Sequence, residues 1–234
     1  MATEIIVKIK EVIQRTYNVK SIRLEIPDTF KFEAGQFISV TLDENPLLKR
    51  YLSISNSPTE SAYLEFTKKL TNSDFSQKLY LLKSGDQLKI AGPLGRFVLD
   101  PAAPKIAFLS GGIGITPIRS ICKYVVDKNL GNDLALIYAN RTAADLVFKD
   151  DFQEMVRGYP AFKMVQIFSE PEPGFSGRVG RINAEIVKQE LPDYQERRFY
   201  LCGPPPMVEA MRKMLVEELN LAKDKIITEN FQGY

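Results

Sequence analysis

In the first part of the chain apolar and polar side chains alternate. Ile22, Leu24 and Ile26 are interleaved with charged residues, the period-two mark of a strand with one buried face. The same reading predicts strands over residues 4–15, 19–27, 36–42, 50–55, 62–69 and 87–91. Turns fall at Ala34-Gly35, Asn56-Ser57-Pro58 and Ser84-Gly85-Asp86, and residues 92–95 read as loop. One helix is predicted over residues 72–82, where Ser73 and Asp74 are candidate N-caps and Leu79 and Leu82 share a face. Six strands and one short helix predict an antiparallel six-stranded β-barrel.

The pattern changes at DPAAP, residues 100–104. Beyond it, predicted strands at 106–110, 134–140, 162–169, 198–202 and 225–228 alternate with helices at 116–128, about 149–157, 183–190 and 205–219. That alternation predicts an α/β doubly wound parallel sheet. The expected domains are residues 1–100 and 101–234, with residues 174–181 (GFSGRVGR) as a long glycine-bearing loop.

Composition narrows the chemistry. The 31 basic and 29 acidic residues leave a net charge of +2, a field too weak to imply a nucleic-acid partner or a membrane surface. No apolar run approaches the ~18 residues that span a bilayer, and the opening MATEIIVKIKEV lacks the apolar core of a leader. The absence of histidine excludes His-ligated metals, Ser-His-Asp triads and imidazole acid–base catalysis. Cys122 and Cys202 supply no metal-binding spacing, so no metal is expected, and a reducing, cytoplasmic setting is.

Two stretches share one grammar. In KIAFLSGGIGITPIRS (105–120) an apolar strand breaks at Gly111-Gly112, passes Gly114 and turns helical at Thr116-Pro117. In YLCGPPPM (200–207) an apolar strand ends at Cys202 and breaks at Gly203-Pro204 before Met207. In a parallel sheet both breaks fall at the carboxyl rim, where such folds bind nucleotides. By itself the first stretch reads equally well as a tight turn. RYLS (50–53) opens a strand with Arg50, and a guanidinium is a common partner for phosphate. GPLGRF (92–97) by itself reads as a turn.

Taken in order, RYLS, GPLGRF, GGIGITP and CGPPPM resemble the ferredoxin–NADP reductase superfamily of flavoproteins, across essentially the whole chain. The resemblance implies FAD and NAD(P)H as cofactors. Arg50 would pair with the flavin pyrophosphate, and Ser53 would sit near the flavin N5. The family's usual aromatic is replaced here by Leu52, with Tyr51 one place early, so an aliphatic group is expected to cover the ring. Thr67, Lys68, Lys69, Phe75 and Ser76 match the segment that binds the flavin phosphates, although Asp74 stands where the family usually has glycine. Gly111, Gly112, Gly114, Thr116 and Pro117 would approach the dinucleotide, and Cys202, Gly203, Pro204 and Met207 would border the nicotinamide. Ser53 and Glu229 are the candidates to relay a proton, and Cys202, bordering the nicotinamide, is the third candidate catalytic residue.

Three alternatives stand open at this point. Phe231 or Tyr234 either lies against the flavin or packs on the barrel. Arg141, Arg178 and Arg181 favour NADPH, whereas Glu170 favours NADH. The implied activity is hydride transfer between nicotinamide and flavin, coupled to one-electron exchange with a separate redox protein: a ferredoxin, flavodoxin or haem protein. The alternatives are a flavin-holding conduit or regulatory subunit without nicotinamide turnover, and a free-flavin or quinone reductase.

Overall fold

The computed structural model describes residues 3–230, so Phe231 and Tyr234 lie outside the described residues. The period-two segments form β1 (Thr3–Thr16), β2 (Val19–Leu24), β3 (Phe37–Thr41), β4 (Lys49–Ser53), β5 (Leu64–Lys69) and β6 (Gln87–Leu94). They pair antiparallel in the order β4-β3-β6-β1-β2-β5. The two edges then meet. Ile54 bridges Phe66, and the Ser55 N–H donates to the Glu65 carbonyl at 2.7 Å. The sheet therefore closes on itself around Ile22, Leu24, Ile38, Val40, Phe66 and Ile90. Helix α1 (Asp74–Leu81) adds Phe75 and Leu79 to that core, and Ser73 caps it by accepting the Ser76 N–H at 3.3 Å.

One expected loop is strand. β6 continues through residues 92–94, with Gly92 opposite Thr3 and Leu94 opposite Phe37. Pro93 has no N–H to offer, but its neighbours keep the ladder on either side. Gly92 is also required for packing, because a Cβ there would lie 2.7 Å from Ile38 Cγ2.

The second half contains β7 (Lys105–Gly111), α2 (Ile115–Lys128), β8 (Asp133–Asn140), α3 (Lys149–Gly158), β9 (Phe162–Phe168), β10 (Arg178–Val179), α4 (Ala184–Glu190), β11 (Arg198–Gly203), α5 (Pro205–Lys213) and β12 (Ile226–Asn230). The order is β10-β9-β8-β7-β11-β12, and every pair is parallel. Helices α2 and α3 pack Ile118, Ile121, Val125 and Phe152 on one face, and α4 and α5 place Val187, Val208 and Met211 on the other. The glycine-bearing loop contains the short β10, which pairs with Ile167 and Phe168. The last helix gives way to a π turn over Met214–Glu218. Because β8 and β9 lie to one side of β7 and β11 and β12 to the other, the strand order reverses between β7 and β11. That reversal opens a crevice at the carboxyl ends of the two strands.

The two halves interlock. The β1–β2 hairpin leans onto the parallel sheet and buries Val19 within that domain's apolar cluster. Beside it the Tyr17 hydroxyl donates to Asp145 Oδ1 at 2.7 Å, and the Arg15 guanidinium lies 5.0 Å from the centre of the Phe148 ring. No helix among the described residues is long and apolar enough to cross a membrane.

Candidate functional site

Where the strand order reverses, the chain comes unusually close to itself. A Cβ on Gly114 would lie 2.3 Å from the Cys202 carbonyl oxygen, and a Cβ on Gly111 would lie 2.2 Å from Met207 Sδ. Gly114 cannot carry a side chain while the two loops keep this spacing, because its neighbours are main chain, whereas a side chain on Gly111 would have to displace the end of Met207. Gly112 has φ +52° with open space where its side chain would be. Backbone alone thus faces the crevice, as close approach of a ligand requires.

A cavity of about 800 Å³ opens from this point and is bounded by both domains. Gly111, Gly112, Pro204, Pro206 and Met207 form its floor, and Tyr17, Asn18 and Lys69 reach it from the barrel. Its size suits a dinucleotide or a large part of one. The α5 end of the wall is apolar for a chemical reason: Pro205 and Pro206 open that helix and carry no N–H. Asn140 ends β8 in the cavity wall. It is 8 % exposed, and both its Oδ1 and its Nδ2 lack a hydrogen-bond partner among the described residues. A buried amide with both functions unsatisfied costs free energy unless a ligand completes it. The sequence reading did not single out Asn140; the signal was an amide closing the otherwise apolar run LALIYAN.

A second group lies on the barrel. Arg50 on β4 and Lys68 on β5 approach closely enough that burial, and then the Arg50 charge, lower the Lys68 ammonium to about 8. The Arg50 guanidinium also lies 5.5 Å from the centre of the Phe75 ring, in the first turn of α1. Two converging cations beside a helix N-terminus make an anion site suited to a pyrophosphate. Ser76 is buried, and its hydroxyl is shared with Thr71 and Ser73 at 3.1 and 3.2 Å. Asp74 is exposed. Thr67 is occupied elsewhere: its hydroxyl meets Ser21 and Ser55 at 2.7 and 2.9 Å inside the barrel.

The third group joins the first two. On adjacent strands, Ser110 pairs with Cys202 and Cys202 with Glu229. The Ser53 hydroxyl donates to Glu229 Oε2 across the domain boundary in a long bond of 3.5 Å. Burial raises the Glu229 carboxyl to about 7, against the opposing effect of Ser53. Burial and the Glu229 charge push the Cys202 thiol well above its ordinary value. Thr116 is buried at the start of α2, and its hydroxyl donates to the Ile113 carbonyl at 3.1 Å. Pro117 is buried beside it.

Other expected residues separate. Tyr51 is 64 % exposed and meets Phe37 edge-on with ring centres 5.8 Å apart, whereas Leu52 is buried with the barrel core. Strand alternation puts them on opposite faces. Arg178 does not line the cavity; β10 carries it to Glu190, which accepts from its Nε and Nη2 at 2.9 and 2.7 Å. Arg141 does line it, between Asp145 at 3.9 Å and Glu170 at 3.8 Å. No group of acidic, Cys or His side chains suited to a metal occurs among the described residues.

Both halves of the chain resemble known proteins. Residues 4–99 match an oxidoreductase FAD-binding domain, and residues 108–213 match an oxidoreductase NAD-binding domain. The chain is 32% identical over 237 residues to NADH-cytochrome b5 reductase 1 of Aspergillus terreus, covering 94% of this chain and 79% of that protein. It is 31% identical over 221 residues to the glycine betaine monooxygenase reductase subunit of Chromohalobacter salexigens, covering 89% of this chain and 59% of that one. Its fold superposes on the Amycolatopsis cytochrome P450 reductase GcoB with a TM-score of 0.87, at 24% identity over 98% of this chain and 70% of that one. A ferredoxin NADP+ reductase from Neisseria gonorrhoeae with bound FAD and NADP gives 0.84, at 22% identity over 98% and 99%.

Proposed function

The chain belongs to the ferredoxin–NADP reductase superfamily, and from that premise we propose that it is an FAD-dependent oxidoreductase that takes hydride from NADH and passes electrons singly to a separate redox protein. The observation that carries this reading is the crevice between β7 and β11, where both halves of the site meet at the Ser53–Glu229 contact. Arg50, Lys68 and the start of α1 would hold the flavin pyrophosphate. Gly111–Gly114 would lie along the dinucleotide, and the unsatisfied Asn140 amide offers it one donor and one acceptor. FAD, when bound, supplies the hydride acceptor and the means to release electrons one at a time. The protein's part is to bring the two rings together, exclude water and hold a proton: Ser53 at the flavin edge, Glu229 behind it and Cys202 on the adjoining strand.

The preference for NADH follows from charge. Arg181 lines the cavity and is the cation that favours a phosphate there, but Arg178 is held by Glu190, and Arg141, just beyond the end of β8, already faces Asp145 and Glu170. A 2′-phosphate would meet two carboxylates there, whereas a free 2′-hydroxyl would find an acceptor. The electron acceptor is a small one-electron carrier of the kind that the relatives' names describe, a cytochrome or an oxygenase component. A reducing, cytoplasmic setting is part of this reading, since Cys122 and Cys202 are both buried free thiols.

The deciding experiment is anaerobic bleaching of the bound flavin. NADH is expected to reduce it at least about tenfold more efficiently than NADPH, a difference of ~1.4 kcal/mol. If neither nucleotide bleaches the flavin, the protein is not this enzyme. Faster bleaching by NADPH would overturn the assignment of Glu170.

A further inference from the structure

We propose that Arg119 and Ser120 are positioning residues that set the gap across which hydride passes, a role resting on the function proposed above. Both lie on α2, one helical turn beyond Thr116. Arg119 is 3 % exposed, yet it reaches out of its own domain. Its Nη1 donates to the Ser55 carbonyl at 3.0 Å, and the Ser120 hydroxyl donates to the Asn56 carbonyl at 2.7 Å. Ser55 and Asn56 directly follow the strand that ends at Ser53. One helical turn, about 5.4 Å, therefore separates each anchor from the nicotinamide-facing Thr116, and two or three residues of extended chain separate it from the flavin-facing Ser53.

The receiving turn is built to be rigid. Asn56 Nδ2 donates to the carbonyls of Glu60 and Tyr63 at 3.2 and 2.8 Å, and Asn56 Oδ1 accepts the Glu65 N–H at 2.7 Å. Glu60 closes the turn by accepting from the Ser57 N–H at 2.8 Å and the Tyr63 hydroxyl at 2.9 Å. The same carboxylate takes Arg119 in a fork, Nη1 to Oε2 at 2.7 Å and Nη2 to Oε1 at 3.1 Å. Asp151 on α3 accepts from the other edge of the guanidinium at 2.6 and 3.2 Å, and the Phe148 ring centre lies 5.2 Å away. Burial opposes the charged form of Glu60, but Arg119 and the turn's donors outweigh it and hold the carboxyl below its usual range. A planar five-donor group used on three elements at once fixes orientation as well as distance. Hydride transfer depends steeply on both, since a misplacement of about 1 Å costs on the order of a hundredfold.

The test mixes anaerobic protein rapidly with saturating NADH. It follows the limiting rate of flavin reduction and the long-wavelength absorbance that stacked flavin and nicotinamide rings share. Arg119→Met should slow the limiting rate about tenfold or more and weaken that absorbance, with NADH affinity changed less than about twofold. Arg119→Lys, which keeps the charge but loses the fork, should recover part of the rate, and Ser120→Ala should slow it about threefold. Asp127→Ala, which removes the bond that Asp127 accepts from Thr59 farther along α2, should react like the native protein. Should Arg119→Met fail to fold, Ser120→Ala decides. Native rates in the folded variants, or equal slowing by Asp127→Ala, would overturn the positioning role alone. A native protein reduced by neither nucleotide would overturn the function and this role together.

Discussion

Glu229 is a residue whose surroundings change its chemistry. Its carboxyl is raised to about 7 by burial, with the Ser53 hydroxyl, among the described residues, partly offsetting the cost of the charge. The folded protein therefore binds that proton more tightly than the unfolded chain does. Stability from the neutral acid is fully present below about pH 4.5 and is lost as pH rises through about 7. Glu229→Gln should remove this slope, worth roughly 1–3 kcal/mol over the interval, and denaturant titrations at pH 5 and pH 8 would measure it. The same substitution should flatten the pH profile of flavin reduction near 7 while leaving flavin bound. A profile unchanged by Glu229→Gln would remove the carboxyl from the proton path. Asn140 illustrates the opposite case, an uncharged group whose importance shows only in its missing partners.

At the scale of elements, the strand–glycine–helix units were legible because their side chains obey two incompatible periods, and glycine marks each change of period. The closeness of the two loops was not legible. Gly114 reads as one glycine among several, and only the parallel pairing of β7 with β11 brings it against the Cys202 carbonyl. A methyl group there cannot be relieved by a rotamer change, because its neighbours are main chain. Gly114→Ala should destabilise the protein by about 1–3 kcal/mol and abolish reduction by NADH while the barrel keeps its flavin; thermal unfolding and flavin absorbance would separate the two effects. Residues 92–94 read as loop for a related reason: glycine and proline signal a turn locally, yet pairing with β1 and β3 holds them in a strand. Arg178 was placed by residue type beside a glycine loop, and nothing local to it announced Glu190 as its partner.

For the molecule as a whole, the domains read as separate from composition but are joined by more than the connecting chain. Val19 belongs to the barrel by sequence and to the parallel sheet's core by contact. Heating should therefore give a single cooperative transition in calorimetry. Val19→Ser, at a cost of about 2–3 kcal/mol, should broaden it or split it in two; a transition that stays single and shifts no lower would show that the hairpin carries no coupling. The hairpin has a further consequence for anyone recombining such proteins. Tyr17 and Asn18 line the cavity proposed for the nucleotide from the other domain, and Tyr17 bonds to Asp145 beside it. A chimera that exchanges only residues 105–230 for a relative's would inherit a pocket with a mismatched wall. The unit of exchange has to include the hairpin tip, so the cofactor preference of such a hybrid is written partly in the half it did not borrow.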